Sequence, residues 1–200
     1  MLPTEELSMF IRNWKQEIFT IPNLLSLFRL ALIPVYVTIY LNAVSAREYY
    51  TAGAILALSC LTDALDGIAA RRLHMITNVG KILDPLADKA TQLAVILCLG
   101  RKYPVLQGLL FLFILKELFQ LTAGIIHLRK GKMLPGALIA GKISTTVLFI
   151  SLILMVVFPG LPSGTANIIS LVDTVFLSIA FASYLFAYFG KHTRVQDITD

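Results

Sequence analysis

Asp63-Ala64-Leu65-Asp66-Gly67-Ile68-Ala69-Ala70-Arg71, then eight residues to Gly80, three more to Asp84 and three more to Asp88, is the stretch on which the fold and chemistry of this chain turn. Four aspartates stand at helical spacing in surroundings that read as membrane. An Asp near the centre of a bilayer costs about 2.5–3.5 kcal/mol on insertion scales. Four are tolerable only where divalent cations neutralise them or where they line a wet cavity. Asp63 and Asp66, three apart, share one helix face, and Asp84 and Asp88, four apart, share one on the next helix. The residues between about 71 and 78 are polar and basic, a turn that makes the two helices antiparallel neighbours. The four carboxylates are therefore expected to converge near one membrane face.

Oxygen-only ligands of this kind suit a hard cation, Mg²⁺ or Mn²⁺. Two ions bridged by shared carboxylates would form the usual clamp for a phosphate. Gly67 puts no side chain on the face of Asp63, so a ligand can approach the backbone. Ala70 keeps that face narrow, and Arg71 offers a forked donor suited to phosphate. Gly80 lets the two helices, or a ligand, come close. The competing reading is a set of interhelical salt bridges made by Arg71 and Lys89. That leaves two cations against four anions and gives the glycines no role.

Composition agrees with a membrane setting. Of 200 residues, 57% are hydrophobic and only 14% charged, with mean hydropathy +0.79, which excludes both a soluble globular domain and a disordered chain. The net charge of +5 reads as basic loops against anionic headgroups rather than as a nucleic-acid surface. Cys60 and Cys98 each lie in an apolar run and read as buried thiols outside any disulfide framework. Charges at Glu5, Glu6, Arg12, Lys15 and Glu17 interrupt the N-terminus, so it does not read as a signal peptide.

The expected fold is an all-α integral membrane protein of six transmembrane helices behind an amphipathic interfacial helix. Leu7, Phe10, Ile11, Trp14 and Ile18 recur at helical steps within residues 4–19, which makes residues 1–20 a juxtamembrane segment. Apolar spans follow at about 22–43, 48–72, 80–100, 104–128, 136–158 and 165–189, a single membrane domain over 21–190, and residues 191–200 form a tail. With both termini and the 2–3 and 4–5 loops on one side, thirteen Lys and Arg residues fall there against three on the other, so that side is expected to be cytoplasmic. The aspartates then open to the cytoplasm.

The pattern D-x2-D-G-x2-A-R-x8-G-x3-D-x3-D is matched at every fixed position. It resembles the signature of the CDP-alcohol phosphotransferases, membrane enzymes of phospholipid synthesis, and the six-helix plan is similar over nearly the whole chain. The resemblance implies that Asp63, Asp66, Asp84 and Asp88 hold two Mg²⁺ or Mn²⁺ ions. It implies that Asp88 acts as base on the acceptor hydroxyl. Gly67, Arg71 and Thr77 match positions that contact the CDP moiety. Asn23 and Ser26, in Pro22-Asn23-Leu24-Leu25-Ser26, resemble an N-x-x-T segment near the cytidine and pyrophosphate, with Ser keeping the hydroxyl.

Within that family, Ile21 to Arg29 and Asp84 to Lys89 resemble the phosphatidylglycerophosphate synthases and, almost as closely, the cardiolipin synthases. The implied donor is CDP-diacylglycerol and the implied acceptor sn-glycerol 3-phosphate, in an inner or plasma membrane. An anionic acceptor calls for cations beyond the metal site, and Lys116, Lys142 and Arg129 are the candidates. Lys116 and Glu117 are adjacent in an apolar helix; sequence neighbours do not face each other, so each is expected to find a partner elsewhere. Many such synthases carry an Arg-Glu pair here and another Arg seven or eight residues later; this chain has Lys116-Glu117 and then Ala123-Gly124 in its place. Asp173 reads as a polar packing contact, and His74, His127 and His192 lack ligand spacing. The small residues Ala52-Gly53-Ala54 and Ala123-Gly124 suit helix packing or a homodimer interface. The opposing class is a cation transporter, but the acids crowd one membrane face and no internal repeat is visible.

Overall fold

The computed structural model describes residues 20–72, 77, 79–129, 132–133, 139–189 and 196–197; of residues 64, 66–72, 81–82, 127–129 and the two short strands it describes the backbone element and not the side chain. Six helices account for nearly all of it: α1 (Ile21–Asn42), α2 (Ala46–Arg72), α3 (Gly80–Lys102), α4 (Leu106–Arg129), α5 (Ile139–Val157) and α6 (Ser163–Phe189). Their bounds lie within three residues of the expected spans. The expected interfacial helix over 4–19 and the tail over 191–195 and 198–200 lie outside the described residues. One feature departs from an all-α reading. Lys132–Met133 (β1) and Gln196–Asp197 (β2) form a two-residue antiparallel ladder, Lys132 opposite Asp197 and Met133 opposite Gln196. Two residues carry no alternation, so no sequence pattern announces such a pair.

Local chemistry sets the helix ends. Pro22 occupies the first turn of α1, where its missing N–H costs nothing. The Glu48 side chain caps the start of α2. The Glu48 carboxylate accepts the backbone N–H of Val44 at 2.7 Å and of Ser45 at 2.8 Å, and the Ser45 hydroxyl at 3.1 Å. Thr77 accepts the Gly80 N–H at 2.9 Å and so satisfies one orphan donor where α3 begins. Arg101 and Lys102 close α3, where cations favour the dipole.

The polarity of the described residues is inside out. Arg29, Asn23, Ser26, Gln92, Lys116, Ser170 and Asp173 are buried, while Leu24, Phe28, Phe111, Leu121, Ile150, Leu171 and Phe186 are exposed. In water this would be an aggregating surface; in lipid it is the stable arrangement, because hydrocarbon replaces water outside and polar groups pair inside. Helices α1, α4 up to Ile126, α5 and α6 are each long and apolar enough to cross a membrane. The chain is a multi-pass membrane protein.

Two compact units divide the chain. One comprises the described residues up to Leu99 together with Ile153–Gly160, and the other Gly100–Leu152 with the described residues from Leu161 onward. In the first, α1 packs along α2, and Tyr40 meets Tyr36 and Tyr49 through ring contacts. In the second, α4 packs on α6, where Phe119 makes edge-on contacts with Phe181 and Tyr188. Asp173 lies buried, and neither of its carboxylate oxygens has a hydrogen-bond partner among the described residues, so the expected polar packing contact is not seen there.

Candidate functional site

The polar residues of α1 stand at three-residue steps: Asn23, Ser26 and Arg29. Helical geometry puts them on one face, and all three are buried within the first unit. Each meets a motif residue from a distant part of the sequence. The Asn23 amide donates to the Thr77 hydroxyl at 2.9 Å. Ser26 Oγ donates to Asp84 Oδ1 at 2.5 Å, a short bond of the charge-assisted kind. Arg29 Nη1 lies 2.5 Å from Asp63 Oδ1 and 3.8 Å from Asp88 Oδ1. The first and last acids of the motif, on two different helices, thus reach one guanidinium nitrogen.

The exposure gradient suits a site open at one end. Arg29 is 2% exposed, whereas the side chains of Asp63 and Asp88 are 50% and 35% exposed. The Arg29 guanidinium forms the floor and the carboxylates form the rim. Gly80 is required where α3 meets α1: a Cβ there would stand 2.6 Å from Asn23 Oδ1 and 3.0 Å from Thr77 Oγ1.

Asp63, Asp84 and Asp88 all face the polar stripe of α1, but among the described residues no three acids, histidines or cysteines draw close enough to make a metal cluster by themselves. The side chains of Asp66, Gly67, Arg71 and Arg129 lie outside the described residues, so the expected four-carboxylate convergence is described for Asp63 and Asp88 only. The donor chemistry fits a hard divalent cation. These are oxygen ligands, and Asp63 and Asp88 already converge on a positive charge.

The acceptor candidates belong to the second unit. Lys116 is buried, and its Nζ bonds Glu117 Oε1 at 2.7 Å and stands 5.8 Å from the centre of the Tyr184 ring. The expectation that adjacent Lys116 and Glu117 would not meet is therefore corrected. Both side chains are long enough to curl around the helix, and in an apolar setting two opposite charges attract strongly. Lys142 is exposed near the start of α5, next to Gly141, whose missing side chain gives room to the Tyr184 ring.

Arg29 is the site residue that sequence reasoning overlooked. It counts there only toward the basic side of the membrane. The available signal was its place in an apolar helix, in step with Asn23 and Ser26.

Fold and site together define a multi-pass membrane helical protein that gathers acidic side chains around a buried arginine. The sequence model of the CDP-alcohol phosphatidyltransferase family matches residues 19–188, and the chain belongs to that family. Among its relatives is a CDP-diacylglycerol–glycerol-3-phosphate 3-phosphatidyltransferase of Aquifex aeolicus, 36% identical over 160 residues that cover 80% of this chain and 82% of that protein. The protein of the same name from Bacillus subtilis is 33% identical over 138 residues, 64% of this chain and 71% of that one. The Escherichia coli protein of that name is 42% identical over 71 residues, 36% of this chain and 38% of that one.

Proposed function

We propose that this chain transfers the phosphatidyl group of CDP-diacylglycerol to sn-glycerol 3-phosphate, forming phosphatidylglycerophosphate and CMP in phospholipid biosynthesis. The observation that carries this reading is the 36% identity to the Aquifex aeolicus enzyme across four fifths of both chains, with the aspartate motif complete in this one.

Residues 21–190 act as one membrane domain in which all six helices cross. Helices α2 and α3 read as less apolar because they carry the motif charges. Their 27 and 23 residues rise about 40 and 35 Å, enough for a bilayer. The basic residues set both termini and the acid-bearing helix ends on the cytoplasmic side of the inner or plasma membrane. Asn23, Ser26, Gly67, Arg71 and Thr77 receive the cytidine and pyrophosphate of the donor. Asp63, Asp66, Asp84 and Asp88 hold two Mg²⁺ or Mn²⁺ ions, whose bound charge would offset that of the pyrophosphate. Lys116, Lys142 and Arg129 attract the acceptor's phosphate.

Asp88 accepts the proton of the acceptor hydroxyl. The hydroxyl oxygen then bonds to the β-phosphorus, which carries diacylglycerol, as the bond to the bridging oxygen breaks and CMP departs. The chain is further proposed to work as a homodimer through the α4 face at Gly124, where a side chain would meet open space; cross-linking in membranes tests that contact.

The test of function is a radiolabelled CDP-diacylglycerol assay offered glycerol 3-phosphate, phosphatidylglycerol, inositol phosphate, serine and choline separately. Labelled phosphatidylglycerophosphate with glycerol 3-phosphate alone is expected. Product only with phosphatidylglycerol would make the chain a cardiolipin synthase instead.

A further inference from the structure

We infer that Arg29 is a positioning residue for the acidic centre: it fixes Asp63 and Asp88 relative to one another and thereby sets the centre's affinity for a divalent cation. The inference rests on the reading above that these acids hold a metal. Arg29 is the ninth residue of α1, about 12 Å along a helix whose outward positions Leu24, Leu27 and Phe28 are apolar. A long cationic side chain on such a helix ordinarily snorkels to water. This one turns inward and is almost fully buried, which is tolerable only because carboxylates meet it.

The geometry suits an outer partner of metal ligands. One nitrogen spans an oxygen of Asp63 on α2 and an oxygen of Asp88 on α3. Each carboxylate has a second oxygen and spare lone pairs, so the guanidinium can hold one oxygen while the other remains for a cation. Ser26, one turn earlier on the same face, holds Asp84 in the same manner. Helix α1 carries no acid and nevertheless orders three of the four.

The test is direct titration of the detergent-solubilised full chain with Mn²⁺, reading unbound Mn²⁺ by electron paramagnetic resonance with no substrate present. Partners that orient metal ligands are typically worth about 10–100-fold in metal affinity, and Arg29→Gln is expected to lose a factor in that range. Arg29→Lys keeps the buried charge but not the fork and is expected to fall between the two. On an Asp63→Asn background, Arg29→Gln should cost a smaller factor than in the natural chain, because one of the two acids it acts through is no longer charged; a merely structural role would cost the same in both. Should Arg29→Gln fail to fold, Arg29→Lys decides. Unchanged or tighter Mn²⁺ binding in the folded variants overturns the role of Arg29 and leaves the metal reading standing. No Mn²⁺ binding by the natural chain overturns the metal reading, and the inference with it.

Discussion

Asp84 and Asp88 are one turn apart on α3, yet their partners differ in kind. Asp84 accepts a hydroxyl from Ser26, while Asp88 shares a cation with Asp63 at the longer distance and is about one third exposed. A base needs a carboxylate within reach of the substrate, and the partly exposed Asp88 meets that requirement. Asp88→Asn keeps size and one oxygen but removes basicity. It is expected to retain CDP-diacylglycerol and Mn²⁺ binding while transfer falls below detection. Near-normal turnover would exclude Asp88 as the base, and lost donor binding would make it chiefly a ligand. Ser26 supports Asp84 through a bond to a charged group, of a kind worth about 1.5–3 kcal/mol. Ser26→Ala is therefore expected to lower kcat/KM by about 10–100-fold, with Ser26→Thr close to the natural chain. Equal activity of Ser26→Ala and the natural chain would remove the hydroxyl from the mechanism.

At the scale of elements, the meeting of α1 with α3 turns on Gly80. An added methyl would press into the Asn23 side chain, which is buried and bonded to Thr77 and so has little room to yield. Overpacking of this kind costs about 1–3 kcal/mol, and Gly80→Ala is expected to lower the thermal midpoint in detergent together with activity. A variant as stable as the natural chain would show that the two helices are not held at this distance. The elements themselves were largely legible, because apolar runs and Pro or Gly joints are local signals. The residual errors have local causes. Helix α2 begins earlier than hydropathy suggests because the Glu48 side chain caps its start, and α6 begins at Ser163, directly after Pro162. The Lys116–Glu117 pair defied the rule of helical neighbours because that rule concerns Cβ directions and not the reach of long side chains.

For the whole molecule, the inside-out distribution of polarity is the governing fact. Exposed Leu, Ile, Val and Phe side chains surround buried Arg29, Lys116 and Asp173, so the fold is stable only where hydrocarbon covers it. Reporter fusions are expected to place both termini in the cytoplasm, in line with the thirteen-to-three distribution of basic residues; a reporter active on the opposite side would overturn that orientation. Activity in membranes should vanish with a chelator and return with Mg²⁺ or Mn²⁺. Full activity in chelator would leave the acids to Arg29 and other protein cations alone.

The sequence by itself determined the membrane class, the six helices to within a few residues, and the motif that places the chain in its family. Each of these is written in hydropathy or in spacings of a few residues, which survive without any tertiary information. Only the tertiary structure decided which polar group of α1 meets which motif residue: Asn23 with Thr77, Ser26 with Asp84, and Arg29 with Asp63 and Asp88. Asn23 and Thr77 are 54 positions apart, and Ser26 and Asp84 58. Contacts at that separation depend on how each helix is rotated and how closely the backbones approach. Helical periodicity gives a residue its face, and only packing gives that face a partner.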